Sequence, residues 1–167
     1  PALCIANELK KINPDLNFLF WGTKDRLEAK LIPDAGYPIR FIEAKAWKGR
    51  ALVGKIKMIL QLAISFFKVL NYARKEKPET LISVGGYISA PIVLVAKFLR
   101  KKIFLVEPNI KAGLANIFFS KMSEKAYIAI GSDAAQKFQC PVEETGSPIK
   151  STFASVQIRP SVSHILI

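Results

Sequence analysis

Two short segments carry most of the chemistry within reach of this chain. The first, Val84-Gly-Gly-Tyr-Ile-Ser-Ala-Pro91, lies between a run that reads as a strand and one that reads as a helix. Paired glycines in such a turn let the backbone approach a ligand, and free N–H groups at a helix start attract phosphate. The Tyr87 and Ser89 hydroxyls follow directly. The same glycines also suit a plain tight turn. The second segment, Val106-Glu-Pro-Asn-Ile-Lys-Ala-Gly-Leu-Ala-Asn116, again follows an apolar strand-like run. Glu107 and Asn109 suit hydrogen bonding to sugar hydroxyls or amides, and equally suit capping of the next helix. Ligands of open α/β sheets bind at the carboxyl ends of the strands, so two such turns from neighbouring parallel strands open on one edge.

The elements that would hold these turns alternate along the chain. Leu3, Ile5, Ala6 and Leu9 recur at helical spacing behind Pro1, and Asn13-Pro14-Asp15 ends that helix. Asn17–Trp21 reads as a buried strand, Thr23 or Lys24 to about Leu31 as a helix stopped by Pro33, and Ile39–Ile42 as a strand. A long helix over Leu52–Arg74 follows, then a strand at Thr80–Val84 and a helix at Ala90–Leu99. Ile103–Val106, Tyr127–Ile130 and Val142–Thr145 read as strands, with helices at Gly113–Met122 and Asp133–Phe138 between them. Such alternation implies right-handed crossovers: an α/β, Rossmann-like, doubly wound parallel sheet with helices on both faces. The central first strand and its glycine turn are expected to precede Pro1. Beyond Gly146 the texture turns polar, and a new strand begins at Ser163. Residues 1–149 are therefore expected to form one incomplete domain, with 150–167 a linker leading into another.

Composition narrows the functional classes. The chain has 167 residues, half of them hydrophobic, enough for one domain with a real core. Cys4 and Cys140 are too few and too far apart for a disulfide scaffold or a zinc cage, and a reducing compartment fits them. The only histidine, His164, leaves little material for a general base or a metal site, and no cofactor or metal is expected. No run nears the ~20 apolar residues that span a bilayer. A formal net charge of +12 points to an acidic partner: nucleic acid, anionic lipid or a phosphorylated molecule. The aromatics sit in apolar runs such as Phe66-Phe67 and Phe118-Phe119 instead of alternating with Lys and Arg, which ranks nucleic acid last.

The long helix favours lipid. Ile56, Ile59, Leu60, Ala63, Phe67 and Leu70 form one stripe, which Met58, Leu62, Phe66 and Val69 widen; Lys57, Gln61, Ser65 and Lys68 form the polar strip. The apolar arc is about twice the ~100° that covers a core. Lys45, Lys48, Arg50, Lys55, Arg74, Lys75 and Lys77 flank it, with Glu76 almost the only opposing charge. An apolar patch ringed by cations suits an anionic bilayer, each near-surface cation contributing about 1 kcal/mol. Burial of the helix by another domain or a second copy is the alternative.

Gly85-Gly-Tyr-Ile-Ser-Ala-Pro91, Glu107-Pro-Asn-Ile-Lys-Ala-Gly-Leu-Ala-Asn116 and Gly146-Ser-Pro-Ile-Lys150, in this order, resemble the N-terminal half of the MurG family of glycosyltransferases. Trp21-Gly-Thr-Lys-Asp-Arg-Leu-Glu-Ala-Lys30 and Ile32-Pro-Asp-Ala-Gly-Tyr-Pro38 are also similar to its early segments, so the likeness spans almost the whole chain. The family's His-Glu-Gln-Asn reads Val106-Glu-Pro-Asn109 here, and its Gly-Asn-Pro-Val-Arg reads Gly146-Ser-Pro-Ile-Lys150. Lys150 keeps the charge without the bidentate fork of arginine.

The resemblance implies the N-terminal acceptor domain of a GT-B fold, lacking its first strand. It implies an inverting transferase that passes N-acetylglucosamine from UDP-N-acetylglucosamine to undecaprenyl-pyrophosphoryl-N-acetylmuramyl-pentapeptide, converting lipid I to lipid II. The process is peptidoglycan synthesis, with its roles in cell shape and division, on the cytoplasmic face of the bacterial inner membrane. Gly85, Gly86, Tyr87 and Ser89 would hold the acceptor diphosphate, and Asn109 and Lys150 the donor. Glu107 would line the cleft, and Ile56, Leu60, Phe66, Phe67, Lys57 and Lys68 would form the membrane patch. The base would be a histidine ending the family's first glycine-rich turn, just before Pro1, and most of the nucleotide pocket would lie in a C-terminal donor domain, leaving this chain inactive alone. A noncatalytic, membrane-recruiting subunit of a split transferase is the alternative.

Overall fold

The computed structural model describes residues 1–42 and 52–149, and the side chains of 1–42 and 58–149. Lys45, Lys48, Arg50, Lys150 and the expected linker 150–167 lie outside the described residues, as do the side chains of Lys55, Ile56 and Lys57.

The elements run α1 (Ala2–Ile12), β1 (Phe20–Gly22), α2 (Glu28–Asp34), β2 (Ile39–Phe41), α3 (Leu52–Glu76), β3 (Thr80–Ser83), α4 (Ser89–Phe98), β4 (Lys102–Glu107), α5 (Leu114–Ser120), β5 (Lys125–Ile128), α6 (Ala134–Lys137) and β6 (Val142–Glu144). Every ladder is parallel, as the alternation implies, but the strands form two sheets. One is β1-β2 and the other β3-β4-β5-β6.

The side-chain period of β4 shows how the larger sheet is covered. Ile103 and Leu105 are fully buried on one face, where they join Val93 and Ala96 of α4, Phe119 of α5, and Ala126 and Ile128 of β5. Phe104 and Val106 point the other way, with Thr80, Ile82 and Tyr127, into an apolar groove of about 370 Å³ flanked by Ile5 and Leu9 of α1. Val106, where the resemblance led one to expect a histidine, is thus an apolar wall residue beneath α1. The helix pair α3 and α4 encloses a second core of Ile42, Val69, Leu70 and Val95, with Trp21 packed against it.

The structure departs from the sequence reading at several elements, beginning with the expected strand Asn17–Trp21, which pairs with β2 only over Phe20–Gly22. α2 starts at Glu28, after a turn, and runs past Pro33 to Asp34. Pro33 sits one residue before the end of this short helix, so its missing N–H removes a single backbone bond. β5 occupies Lys125–Ile128, ahead of the expected Tyr127–Ile130, because its pairing with β4 ends opposite Glu107. The chain then turns at Gly131, which has a φ of 71°, and leaves Ile130 exposed. On α3, Ser65 is buried with Val69 and Leu70, whereas Ile59, Leu60, Ile64 and Phe67 face outward. The inward face of the helix thus includes part of the polar strip.

Candidate functional site

Both turns sit at the carboxyl edge of the larger sheet, on the neighbouring strands β3 and β4. Gly85 and Gly86 have φ of 82° and 86°, a conformation that L side chains rarely adopt. A Cβ on Gly86 would project into open space, so that side of the turn is free for a ligand. A Cβ on Gly85 would meet the Asn116 amide at 2.9 Å. Tyr87 is half-open at the rim. Ser89 is turned inward: it is buried, and its Oγ donates to Gly86 O at 2.6 Å, bracing the turn from behind.

One cation missing from the sequence reading joins this turn. The Arg26 guanidinium lies over the Tyr87 ring, 5.3 Å from its centroid. The loop that carries Arg26 is tied down by Glu28, whose Oε1 accepts from the Thr23 N–H at 3.2 Å and from its hydroxyl at 3.0 Å. Burial works against the charge of Glu28. Backbone N–H groups of Glu28 and Thr23, the Thr23 hydroxyl and nearby Arg26 outweigh it and hold the carboxyl below its ordinary value. The sequence signal for this box was Thr23 placed five residues before Glu28, hidden inside a stretch that reads as continuous helix.

At the second turn Glu107 is only 2% exposed. Its Oε1 accepts from Asn109 N at 3.2 Å and Asn109 Nδ2 at 2.8 Å; its Oε2 accepts from Gly113 N at 2.8 Å and Asn116 Nδ2 at 3.0 Å. A carboxylate offers about four lone-pair directions, so these donors leave none for a substrate proton. Glu107 is a structural pivot rather than a base, and the capping alternative describes its bond to Gly113 at the start of α5. Asn109 differs. It is exposed, and the pivot fixes its amide with Oδ1 left to accept a hydroxyl.

The surrounding loop is held on several sides. Ser132 Oγ donates to Asn109 O and Ile110 O at 2.9 and 3.1 Å, Ser147 Oγ to Pro108 O at 2.6 Å, and Ala112 N to Asp133 Oδ1 at 2.7 Å. Asp133 also pairs with Lys137. That ammonium first, then the Ala112 N–H, holds the Asp133 carboxyl below its usual range. The edge thus presents a backbone turn suited to an anion beside a fixed amide suited to a sugar. Lys150, the expected donor contact, lies outside the described residues.

Comparison with known proteins agrees with this architecture. Residues 1–128 match the glycosyltransferase family 28 N-terminal domain. The chain is 33% identical over 98% of its length to the UDP-N-acetylglucosamine–N-acetylmuramyl-(pentapeptide) pyrophosphoryl-undecaprenol N-acetylglucosamine transferase of Anaeromyxobacter dehalogenans (strain 2CP-C), spanning 43% of that protein. It is 33% identical over 99% of its length to the enzyme of the same name from Caldicellulosiruptor saccharolyticus, spanning 45% of it. For the Haemophilus ducreyi enzyme the figures are 31%, 93% and 42%. The chain therefore spans less than half the length of these relatives. The crystal structure of Acinetobacter baumannii MurG superposes with a TM-score of 0.68 at 22% identity, covering 88% of this chain and 40% of that one, a likeness of fold. A parallel α/β architecture, glycine and asparagine turns on one sheet edge, and a family match over most of the chain lead to one conclusion: the chain belongs to glycosyltransferase family 28, whose N-terminal domain it carries.

Proposed function

We propose that this chain is the acceptor-binding half of an inverting N-acetylglucosaminyltransferase that uses UDP-N-acetylglucosamine and the lipid-linked acceptor lipid I. The acceptor sugar hydroxyl attacks the anomeric carbon, the bond from that carbon to the UDP oxygen breaks, and UDP leaves. The observation that carries the reading is the shared edge, where the open side of Gly86 and the fixed amide of Asn109 stand on adjacent strands. Backbone N–H groups of the glycine turn, helped by Arg26, would hold the acceptor diphosphate. Asn109 would accept a donor sugar hydroxyl. Lys150 would approach the nucleotide, and residues from 150 onward would lead to the donor domain. Ser89 and Glu107 serve by holding the turns.

The same reading assigns α3 to the membrane. Among the described residues no helix is long and apolar enough to cross a bilayer. Ile59, Leu60, Ile64 and Phe67 are nevertheless exposed along one stripe, Ile64 by 70%. Phe98 of α4 extends the patch through its edge contact with Phe66, and exposed Lys68, Lys97 and Arg100 flank it. Anionic inner-membrane lipid fits that chemistry, and a lipid-anchored acceptor would require it.

Kinetics with a soluble acceptor analogue test the assignment. In this chain joined to a family donor domain, Gly86→Val is expected to raise the acceptor KM about tenfold or more while the donor KM stays near its original value. Unchanged acceptor kinetics would remove the glycine turn from the site. The chain alone is expected to transfer nothing, and sugar transfer by these residues unaided would contradict the division of labour.

A further inference from the structure

Asn116 is 2% exposed and stands between the two turns. Its Nδ2 donates to Glu107 Oε2 at 3.0 Å and to Val106 O at 3.3 Å. Turning the amide over would set Oδ1 against both of those oxygens, so the two acceptors fix its orientation. Oδ1 then lies against Gly85, 3.1 Å from where a Cβ would be, and among the described residues it has no hydrogen-bond partner. An unpaired buried acceptor costs about 1–3 kcal/mol, and a natural core rarely keeps one without a use. The turn that Gly85 carries against this amide has backbone N–H donors. The Gly85 N–H is spent only on a long 3.3 Å bond to Ser83 Oγ. Positive φ at both glycines gives their peptides freedom that other residues lack.

We infer that Asn116 is a positioning residue which couples the glycine turn to Asn109: when a diphosphate occupies the turn, a turn N–H moves onto Asn116 Oδ1, and the shift passes through Glu107 to the Asn109 amide. This rests on the reading of Gly85–Tyr87 as a diphosphate site. The relay is contiguous: Gly85 against the Asn116 amide, Asn116 Nδ2 on Glu107 Oε2, and Glu107 Oε1 on Asn109 Nδ2. Among the described residues its buried open valence is Asn116 Oδ1, which faces the turn, and the exposed Asn109 Oδ1 stands at its other end. Binding at the acceptor turn thereby orders the amide offered to the donor sugar, and coupling of this kind is reciprocal.

The test is a titration of the ¹⁵N-labelled chain with inorganic pyrophosphate, followed through backbone amides and asparagine side-chain NH2 groups. Gly85, Gly86 and Tyr87 amides are expected to shift together with the Asn116 and Asn109 side chains, at one apparent Kd. In Asn116→Ser the Gly86 and Tyr87 amides should still shift while the Asn109 side chain falls silent, and the Kd should rise about tenfold. If Gly85–Tyr87 move while Asn116 stays silent in the unmodified chain, or if Asn109 still responds in Asn116→Ser, the relay is overturned and the diphosphate site stands. If pyrophosphate leaves Gly85–Tyr87 unmoved, the site itself fails and the relay with it. The unmodified chain decides the matter even where Asn116→Ser does not fold.

Discussion

Adjacent glycines with the same backbone conformation have different neighbours, and substitutions should tell them apart. Gly85→Ala meets both the strain of positive φ and the Asn116 amide, whereas Gly86→Ala meets strain alone, of order 1–2 kcal/mol. Thermal melts should show the larger loss for Gly85→Ala, and equal losses would mean that Asn116 yields freely. Asp133 supplies a pH signature. Its folded carboxyl lies below its usual range, so its contribution is complete above about pH 4 and is lost as pH falls through the depressed folded value. The urea midpoint of Asp133→Asn should therefore fall less steeply than that of the parent below about pH 4, and parallel curves would count against a carboxylate held by Lys137 and the Ala112 N–H. Spacing exposed the two turns because a glycine pair and Glu-x-Asn each follow an apolar strand-like run, although a plain tight turn and a helix cap use the same residues. It could not separate Glu107 from Asn109, nor Ser89 from Tyr87. Whether a polar group is spent inside or offered outside depends on partners such as Gly113 and Asn116, brought by the fold.

Helix α3 illustrates what periodicity determines and what it leaves open. A helix apolar around most of its circumference announces two partners, but composition alone cannot say which side each takes. In the structure Val69, Leu70 and Ser65 go to the core, Phe66 is half-buried against Phe98, and Phe67 is outside, so neighbouring phenylalanines have different tasks. Phe67→Ser should reduce sedimentation with anionic vesicles several-fold and leave the melting temperature nearly unchanged. Phe66→Ser should lower the melting temperature by truncating a packed ring. If Phe67→Ser leaves vesicle binding intact, the stripe belongs to a protein partner instead. Strand identities were readable from apolar runs bounded by Gly, Pro and Asn. The end of β5 was not, because Ala129-Ile130 looks like more strand until the pairing partner runs out at Glu107.

For the molecule as a whole, alternation of strand and helix sufficed to predict a parallel α/β fold, since such connections admit few other arrangements. The split into β1-β2 and β3-β4-β5-β6 needed the coordinates. So did the apolar groove under α1, where Val106 finds a use unlike that of a histidine. The proposed division of labour between an acceptor half and a donor half makes a claim about affinity that calorimetry can address. The chain should be titrated with a soluble lipid I analogue and, separately, with UDP-N-acetylglucosamine. The account predicts saturable binding of the acceptor analogue, abolished by Gly86→Val, and donor binding at least about tenfold weaker. Tight binding of UDP-N-acetylglucosamine with none of the acceptor would contradict it.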